Sequence, residues 1–219
     1  MTNSQTDRSR LSREAVLAAA EELVRAQGPQ ALTMRRLAAE LGAAVTAIYW
    51  HVGNREALLD ELVQRTVREM GEIRARGATP AARAESVALE LRRKLRARPH
   101  LIALVHERGL TELMMLPAQR ALAHEAHAAG LRGERAAEAV RAVQFQVVGF
   151  VLVERNRERA PRQQPGEPEL WDLETAEQDP ALAAALGRSP DPERLFATSV
   201  HALVGSLWGG AREDRPEDA

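Results

Sequence analysis

The sequence predicts an all-α fold, and three observations carry that prediction. Ala, Leu, Glu and Arg, all good helix formers, fill the long segments of the 219-residue chain. Apolar residues in those segments recur at three- and four-residue spacing instead of alternating as they would in strands. Gly and Pro punctuate the chain where each such segment runs out. With 45% hydrophobic residues, the chain has enough apolar side chain for a substantial core, and its length suits a small domain joined to a larger one.

The first helix, 11–27, sets Val16, Ala20, Leu23 and Val24 against charged Arg13, Glu14, Glu21 and Glu22, with Ser12 as its N-cap. Gly28-Pro29 stops it. Thr33 caps a short second helix through Leu41, and Gly42 supplies the permissive residue after it. A third short helix fits 45–51 and ends at Gly53-Asn54. A long helix from Arg55 to Arg76 follows, with the stripe Leu58, Leu62, Thr66, Met70 and Ile73. The punctuation Gly77-Ala78-Thr79-Pro80 then divides the chain into a first domain, 1–54, a connecting helix, 55–77, and a larger second domain, 78–219.

Further helices are expected at 81–98, 101–107, 111–129 and 134–159, the last with Ala136, Val140, Val143, Val147 and Val151 on one face. The Pro-rich, acidic stretch 160–191 is expected to be mobile loop with one short helix near 180–186. Pro192 opens a final helix through Leu195, Phe196, Val200, Leu203, Val204, Leu207 and Trp208. The acidic tail, 210–219, is expected to be disordered.

Composition excludes several function classes. The chain has no cysteine, hence no disulfide framework, thiolate metal site or cysteine nucleophile, and a reducing compartment, the cytoplasm, is expected. A net charge of -1 argues against coating nucleic acid through bulk positive charge, while Arg35, Arg36 and Arg55 leave room for a local basic surface. Neither a signal peptide nor a membrane segment is expected. No phosphate-cradling glycine loop or nucleophile stands out, so an all-α enzyme is the weaker alternative and no cofactor is expected.

The segment 41–55, LGAAVTAIYWHVGNR, concentrates aromatic side chain in a chain that is only 3% aromatic. Two short helices joined by a glycine-containing turn, the second presenting small and polar side chains, follow the plan of a helix-turn-helix. If Leu37, Leu41, Val45 and Ile48 point inward, Ala44, Ala47 and Tyr49 point outward, with Trp50 and His51 at the boundary. Small outer residues let a helix approach base edges closely, and a tyrosine hydroxyl donates to phosphate. Trp50 either fills the small core or joins that outer face.

The run LTMRRLAAELGAAVTAIYWHVGNREALLDELV resembles the DNA-binding signature of the tetracycline-repressor (TetR) family, from about Leu11 to Val63. Its specific parts are LTMRRLAAELG, the hydrophobic-Tyr-x-His pattern at Ile48, Tyr49 and His51, Asn54-Arg55, and Leu58-Leu59. The resemblance implies a three-helix DNA-binding domain with a helix-turn-helix, joined by a long helix to a helical effector-binding and dimerisation domain. It places Thr33 at phosphate, Arg35 at a base edge, and Ala44, Val45, Thr46 and Ala47 at base-reading positions. It places Tyr49, His51 and Arg55 at the DNA backbone. Val45, Thr46 and Ala47 stand where tetracycline repressors carry glutamine, proline and threonine, so a different operator, read more through thymine methyls, is expected.

The segment AHEAHAAGLRGERAAEAVRAVQFQVVGFVLVE resembles the matching part of tetracycline-repressor effector domains, in which the last two long helices pair with their copies about a two-fold axis. A homodimer on a palindromic double-stranded DNA operator, released by a small-molecule effector, is the implied function, with an activator using the same head as alternative. The Val140, Val143, Val147 and Val151 row with Leu195, Ala202, Leu203 and Ser206 offers a seam within one subunit, across the dimer, or both on different faces. Candidate effector-pocket residues are Leu101, Leu104, His106, Leu113, Met114, Met115, Gln144 and Phe145, in which the two methionines supply adaptable apolar surface. His124 and His127 share one helix side, and Glu154 falls where tetracycline repressors approach a drug-bound magnesium. No metal-binding histidine aligns with them, so neither a metal nor tetracycline is expected.

Overall fold

The computed structural model describes residues 11–109, 111–159, 178–186, 188 and 190–209, and among these every regular element is helical. The elements are α1 (Arg13–Gln27), a 3-10 turn (Pro29–Ala31), α2 (Met34–Glu40), α3 (Val45–Val52), α4 (Arg55–Met70) and α5 (Pro80–Arg96). They continue with α6 (Pro99–Arg108), α7 (Thr111–Ala128), α8 (Gly133–Arg159), α9 (Pro180–Leu186) and α10 (Pro192–Gly209). The expectations for 160–177 and for the tail 210–219 lie outside the described residues.

The chain forms two compact units. The first holds the chain through Gly71 and also Ala97–Leu116, and the second holds Glu72–Arg96 and the chain from Pro117 onward. Punctuation does not reveal the return of Ala97–Leu116 to the first unit, because glycine and proline mark where helices end and not where they pack.

In the first unit, three polar side chains start helices by accepting a backbone amide that the helix itself leaves unpaired. Ser12 Oγ accepts from Ala15 N at 3.1 Å, Thr33 Oγ1 from Arg36 N at 3.2 Å, and Asn54 Oδ1 from Ala57 N at 2.8 Å. Their apolar faces meet in one core that buries Val16, Ala20 and Val24 of α1, Leu37 of α2, Ile48 of α3, and Leu58, Leu59 and Leu62 of α4. Each of the Val, Leu and Ile side chains contributes about 1.5–3 kcal/mol relative to leaving it in water. Helix α6 packs along α4 within the same unit.

Helix α4 stops at Met70, six residues short of the expected Arg76. Gly71 adopts φ 62°, a left-handed conformation open to glycine, and its amide returns to Arg68 O at 3.0 Å. Ile73 extends the apolar period in the sequence and is buried, but it lies on the irregular segment that follows.

The second unit is built on α5, α8 and α10, which pack on one another. Ala84, Val87, Ala88, Leu91 and Leu95 of α5 are buried with Phe196, Val200 and Val204 of α10. The row Val140, Val143, Val147 and Val151 of α8 is buried in the same core, so its burial within one subunit is the reading that holds. The apolar surface left exposed on α8 lies around the helix at Phe145, Leu152 and Val153, and α10 adds Leu195.

By length and composition alone, Gly133–Glu158 passes for a bilayer span, with a mean hydropathy of 1.5 in its most apolar window, against the expectation of no membrane segment. Its valine row packs against helices that carry Arg92 and Glu193, as a core helix does.

Charge is buried here as well. Arg92 of α5, 3% exposed, donates to Glu154 of α8 and, at 2.6 Å, to Glu193 of α10. Its guanidinium also lies 4.7 Å from the centre of the Phe196 ring. One cation thereby ties three helices, and its satisfied hydrogen bonds offset the cost of desolvating it. Glu154, which the resemblance set near a metal, is held by this arginine. Arg83 of α5 and the buried Glu125 of α7 form a second pair at 2.6 Å.

Candidate DNA-reading surface

Helices α2 and α3 meet through a turn in which Gly42 takes φ 58° and Ala43 N reaches back to Ala38 O at 2.9 Å. This pairing satisfies carbonyls at the end of α2 and fixes the angle at which α3 leaves. Ile48 and Val52 hold α3 to the core. Leu41 and Val45, expected inside, are only half-buried.

The opposite side of α3 is exposed at Ala44, Thr46, Tyr49 and Trp50, with Ala47 and His51 half-buried. Ala44 is the N-cap and supplies no side-chain hydrogen bond, so the first amides of α3 lack the side-chain acceptor that α1, α2 and α4 each have. Amides in that state favour an anion.

Trp50 is 83% exposed, which excludes the reading in which it fills the core. Its ring meets His51 edge-on, with centroids 5.0 Å apart. Tyr49, beside it, is about half exposed. The aromatic cluster of 41–55 is therefore surface, and its single tyrosine presents a hydroxyl at the end of a helix lined with small residues.

The two adjacent arginines of α2, equivalent in sequence, differ in the structure. Arg36 is hydrogen-bonded to Gln27 at the end of α1, which pins α2 to α1. Arg35 is exposed. Thr33 is exposed too, and its hydroxyl oxygen caps α2. Thus Thr33, Arg35, Ala44, Thr46 and Tyr49 all present exposed residues on the α2–α3 pair.

Arg55 has other partners. Expected at phosphate, it is half-buried, and its guanidinium donates to Leu32 O at 2.9 Å and Pro29 O at 3.0 Å. Those carbonyls are 23 and 26 residues away, a separation that leaves no periodic trace in the sequence. The pair between Asp60 of α4 and Arg108 of α6, 48 residues apart, escapes sequence reasoning for the same reason.

The candidate effector residues divide between the units. Leu104, Met114 and Met115 belong to the first and are buried, while the side chains of Leu101, His106 and Leu113 lie outside the described residues. Gln144, in the second unit, is buried. Phe145 is 74% exposed and faces outward from the second unit's core. With Gly149, Phe150, Val153 and Leu195 it borders an open groove of about 240 Å³. Adjacent positions on a helix point about 100° apart, so Gln144 and Phe145 are poor candidates for one pocket wall. His124 and His127 are exposed on α7, and among the described residues no group of three or more His, Asp or Glu is placed to hold a metal.

Comparison with known proteins bears on this surface directly. Residues 16–62 match the family profile described as bacterial regulatory proteins, tetR family. The tetracycline repressor protein class D of Escherichia coli is 50% identical over 54 residues, 25% of each chain. The class C repressor is 48% identical over 56 residues, 26% of each chain, so the matched part spans about a quarter of these relatives.

An HTH-type transcriptional regulator of Saccharopolyspora erythraea is 32% identical over 147 residues, 66% of this chain and 61% of its own. The structure of ActR from Streptomyces coelicolor in complex with actinorhodin superposes with a TM-score of 0.70 at 25% identity, covering 94% of this chain and all of the other. The family profile covers the α2–α3 pair, most of α1 and the first half of α4, while the structural likeness covers 94% of the chain. Residues 16–62 carry the profile of the tetR family of bacterial regulatory proteins, and the whole chain is similar in structure to ActR.

Proposed function

We propose that this protein is a ligand-responsive transcriptional repressor of the cytoplasm, a homodimer that binds a palindromic DNA operator and is released by a small organic effector. The observation that carries the reading is the outer face of α3, where small residues at Ala44, Thr46 and Ala47 run into exposed Tyr49 and Trp50, with Arg35 and Thr33 of α2 alongside. Ala44 to Ala47 approach base edges in the major groove, Arg35 reads a base, and Thr33, Tyr49 and His51 bind backbone.

Two copies are needed because one such head makes few contacts, and a symmetric pair reads half-sites about one helical turn, roughly 34–36 Å, apart. The exposed stripe of Phe145, Leu152 and Val153 on α8, with Leu195 on α10, supplies apolar surface for that pairing. ActR was solved with actinorhodin, which supports a small-molecule effector for this chain. Buried Leu104, Met114 and Met115 give apolar, deformable surface suited to it. An effector that favours one conformation by about 2–3 kcal/mol lowers operator affinity tens- to hundred-fold.

The test is selection from a library of random duplexes of about 30 base pairs, three helical turns, by the full-length protein. Enriched sequences sharing an inverted repeat are expected. A pool that stays random after repeated rounds ends the DNA-binding reading.

A further inference from the structure

We infer that Arg55 is a positioning residue of the reading head: it fixes where the α2–α3 pair sits on α4 instead of binding phosphate. The inference rests on the DNA-binding reading and names a part of its machinery. Arg55 is the first residue of α4, directly after its N-cap Asn54. Nε donates to Leu32 O at 2.9 Å and Nη2 to Pro29 O at 3.0 Å.

Pro29 opens the 3-10 turn and Leu32 closes it, and the next residue, Thr33, is the N-cap of α2. The start of α4 therefore holds the two ends of the turn from which α2 departs. The Leu32 side chain is fully buried, so the turn is fixed by its apolar side chain on one side and by its carbonyl on the other. Charge-assisted hydrogen bonds of this kind are stronger than neutral ones. A guanidinium presents two N–H groups in fixed directions, which the single ammonium of lysine does not reproduce.

Farther along α4, Asp60 is paired with Arg108 of α6. If Arg55 met phosphate instead, its charge alone would count and lysine would replace it.

The experiment compares Arg55→Lys and Arg55→Gln with the wild type in mobility shifts at several salt concentrations. The probes are the duplex selected above and a random duplex of equal length, at a temperature where circular dichroism shows each protein folded. Both variants should lose affinity for the selected duplex by about tenfold, lysine no less than glutamine. Affinity for the random duplex should stay within about twofold, so the specificity ratio falls. Loss of fold stability alone does not move that ratio below the melting transition.

Two results overturn the inference. One is a lysine variant that matches wild type while glutamine weakens both duplexes alike and lowers the salt slope by about 0.9, the share of one phosphate. The other is a wild-type ratio in both variants. Should the glutamine form not fold, the ratio of the lysine form decides by itself. A wild-type protein that selects no duplex overturns the DNA-binding reading and this inference with it, an outcome separate from a wild type that binds and variants that do not differ.

Discussion

Arg108 of α6 donates from Nε and Nη2 to the two carboxylate oxygens of Asp60 on α4, at 2.7 and 3.3 Å. The bidentate geometry fixes one helix against the other in both distance and rotation. Both side chains are partly exposed, so the pair is worth less than a buried one. A double-mutant cycle with Asp60→Asn and Arg108→Gln, measured by urea denaturation, should give a coupling energy of about 1 kcal/mol. A coupling of zero would mean that solvent screens the pair and that α6 is held on α4 by apolar packing alone.

Reading and anchoring should separate by mutation. Tyr49→Phe removes one hydroxyl donor and should weaken binding to selected and random duplexes alike. Arg35→Ala should instead relax preference at one or two base pairs of each half-site, by about 1–3 kcal/mol for each base edge that goes unread. Binding measured against a set of single-base variants of the selected duplex checks both. Equal losses on every sequence would remove Arg35 from the base edge.

The pairing of copies should fail when charge is placed on the exposed stripe. Leu152→Glu, at a position already exposed, should leave the helical signal unchanged and shift the protein from dimer to monomer in light scattering at micromolar concentration. Operator affinity should fall with it. A wild-type protein that is monomeric both alone and on DNA would remove the two-copy architecture.

Acid should weaken the second unit through Glu193. Its hydrogen bond from Arg92 lowers its pKa from the ordinary 4.5, burial acts in the opposite direction, and the charges of Arg92 and Arg96 add to the lowering. Because the folded-state value lies below the unfolded one, the stabilisation is fully present above about 4.5 and is lost as pH falls through the folded value. The carboxyl is 65% exposed, so the effect is small, screened by solvent. Urea midpoints should drop less steeply below pH 4.5 in Glu193→Gln than in wild type. Identical slopes would place the acid sensitivity elsewhere.

Removing the arginine should be more severe. Arg92→Ala leaves the nearly buried Glu154 with only the more distant Arg96, at 3.8 Å, and should cost about 3 kcal/mol. The doubly neutral Arg92→Met, Glu154→Gln form should recover much of it. Denaturant midpoints of the two proteins check this, and equal losses would show that the ties of Arg92 to Glu193 and Phe196, which neither variant keeps, outweigh the charge left on Glu154.

What the sequence makes legible is local. Ser12 and Thr33 are recognisable as caps because a cap acts three residues ahead. The turn at Gly42 is legible because only a few residues define it. The end of α4 is not, since Ile73 keeps the apolar period and only the conformation of Gly71 breaks it. Periodicity identifies the valine row of α8 as a face but does not say what covers it. Side-chain type misleads at Trp50, where an apolar ring lies in water. Arg55 and Arg92 find their partners between 23 and 101 residues away, beyond any local pattern.

The exposure of Trp50 has a kinetic consequence. A large ring 83% in water at the tip of the reading head gains from covering itself against the sugars of any duplex, whatever its bases. Such a contact would add an apolar part to the electrostatic, sequence-independent attraction that lets a protein slide and hop along DNA. On the proposed function, the protein should therefore spend little of its time free in solution and should find its site by moving along DNA. Single-molecule tracking on extended DNA would read this as long diffusive runs in wild type that shorten in Trp50→Ala, with dwell times on the operator reduced by a smaller factor.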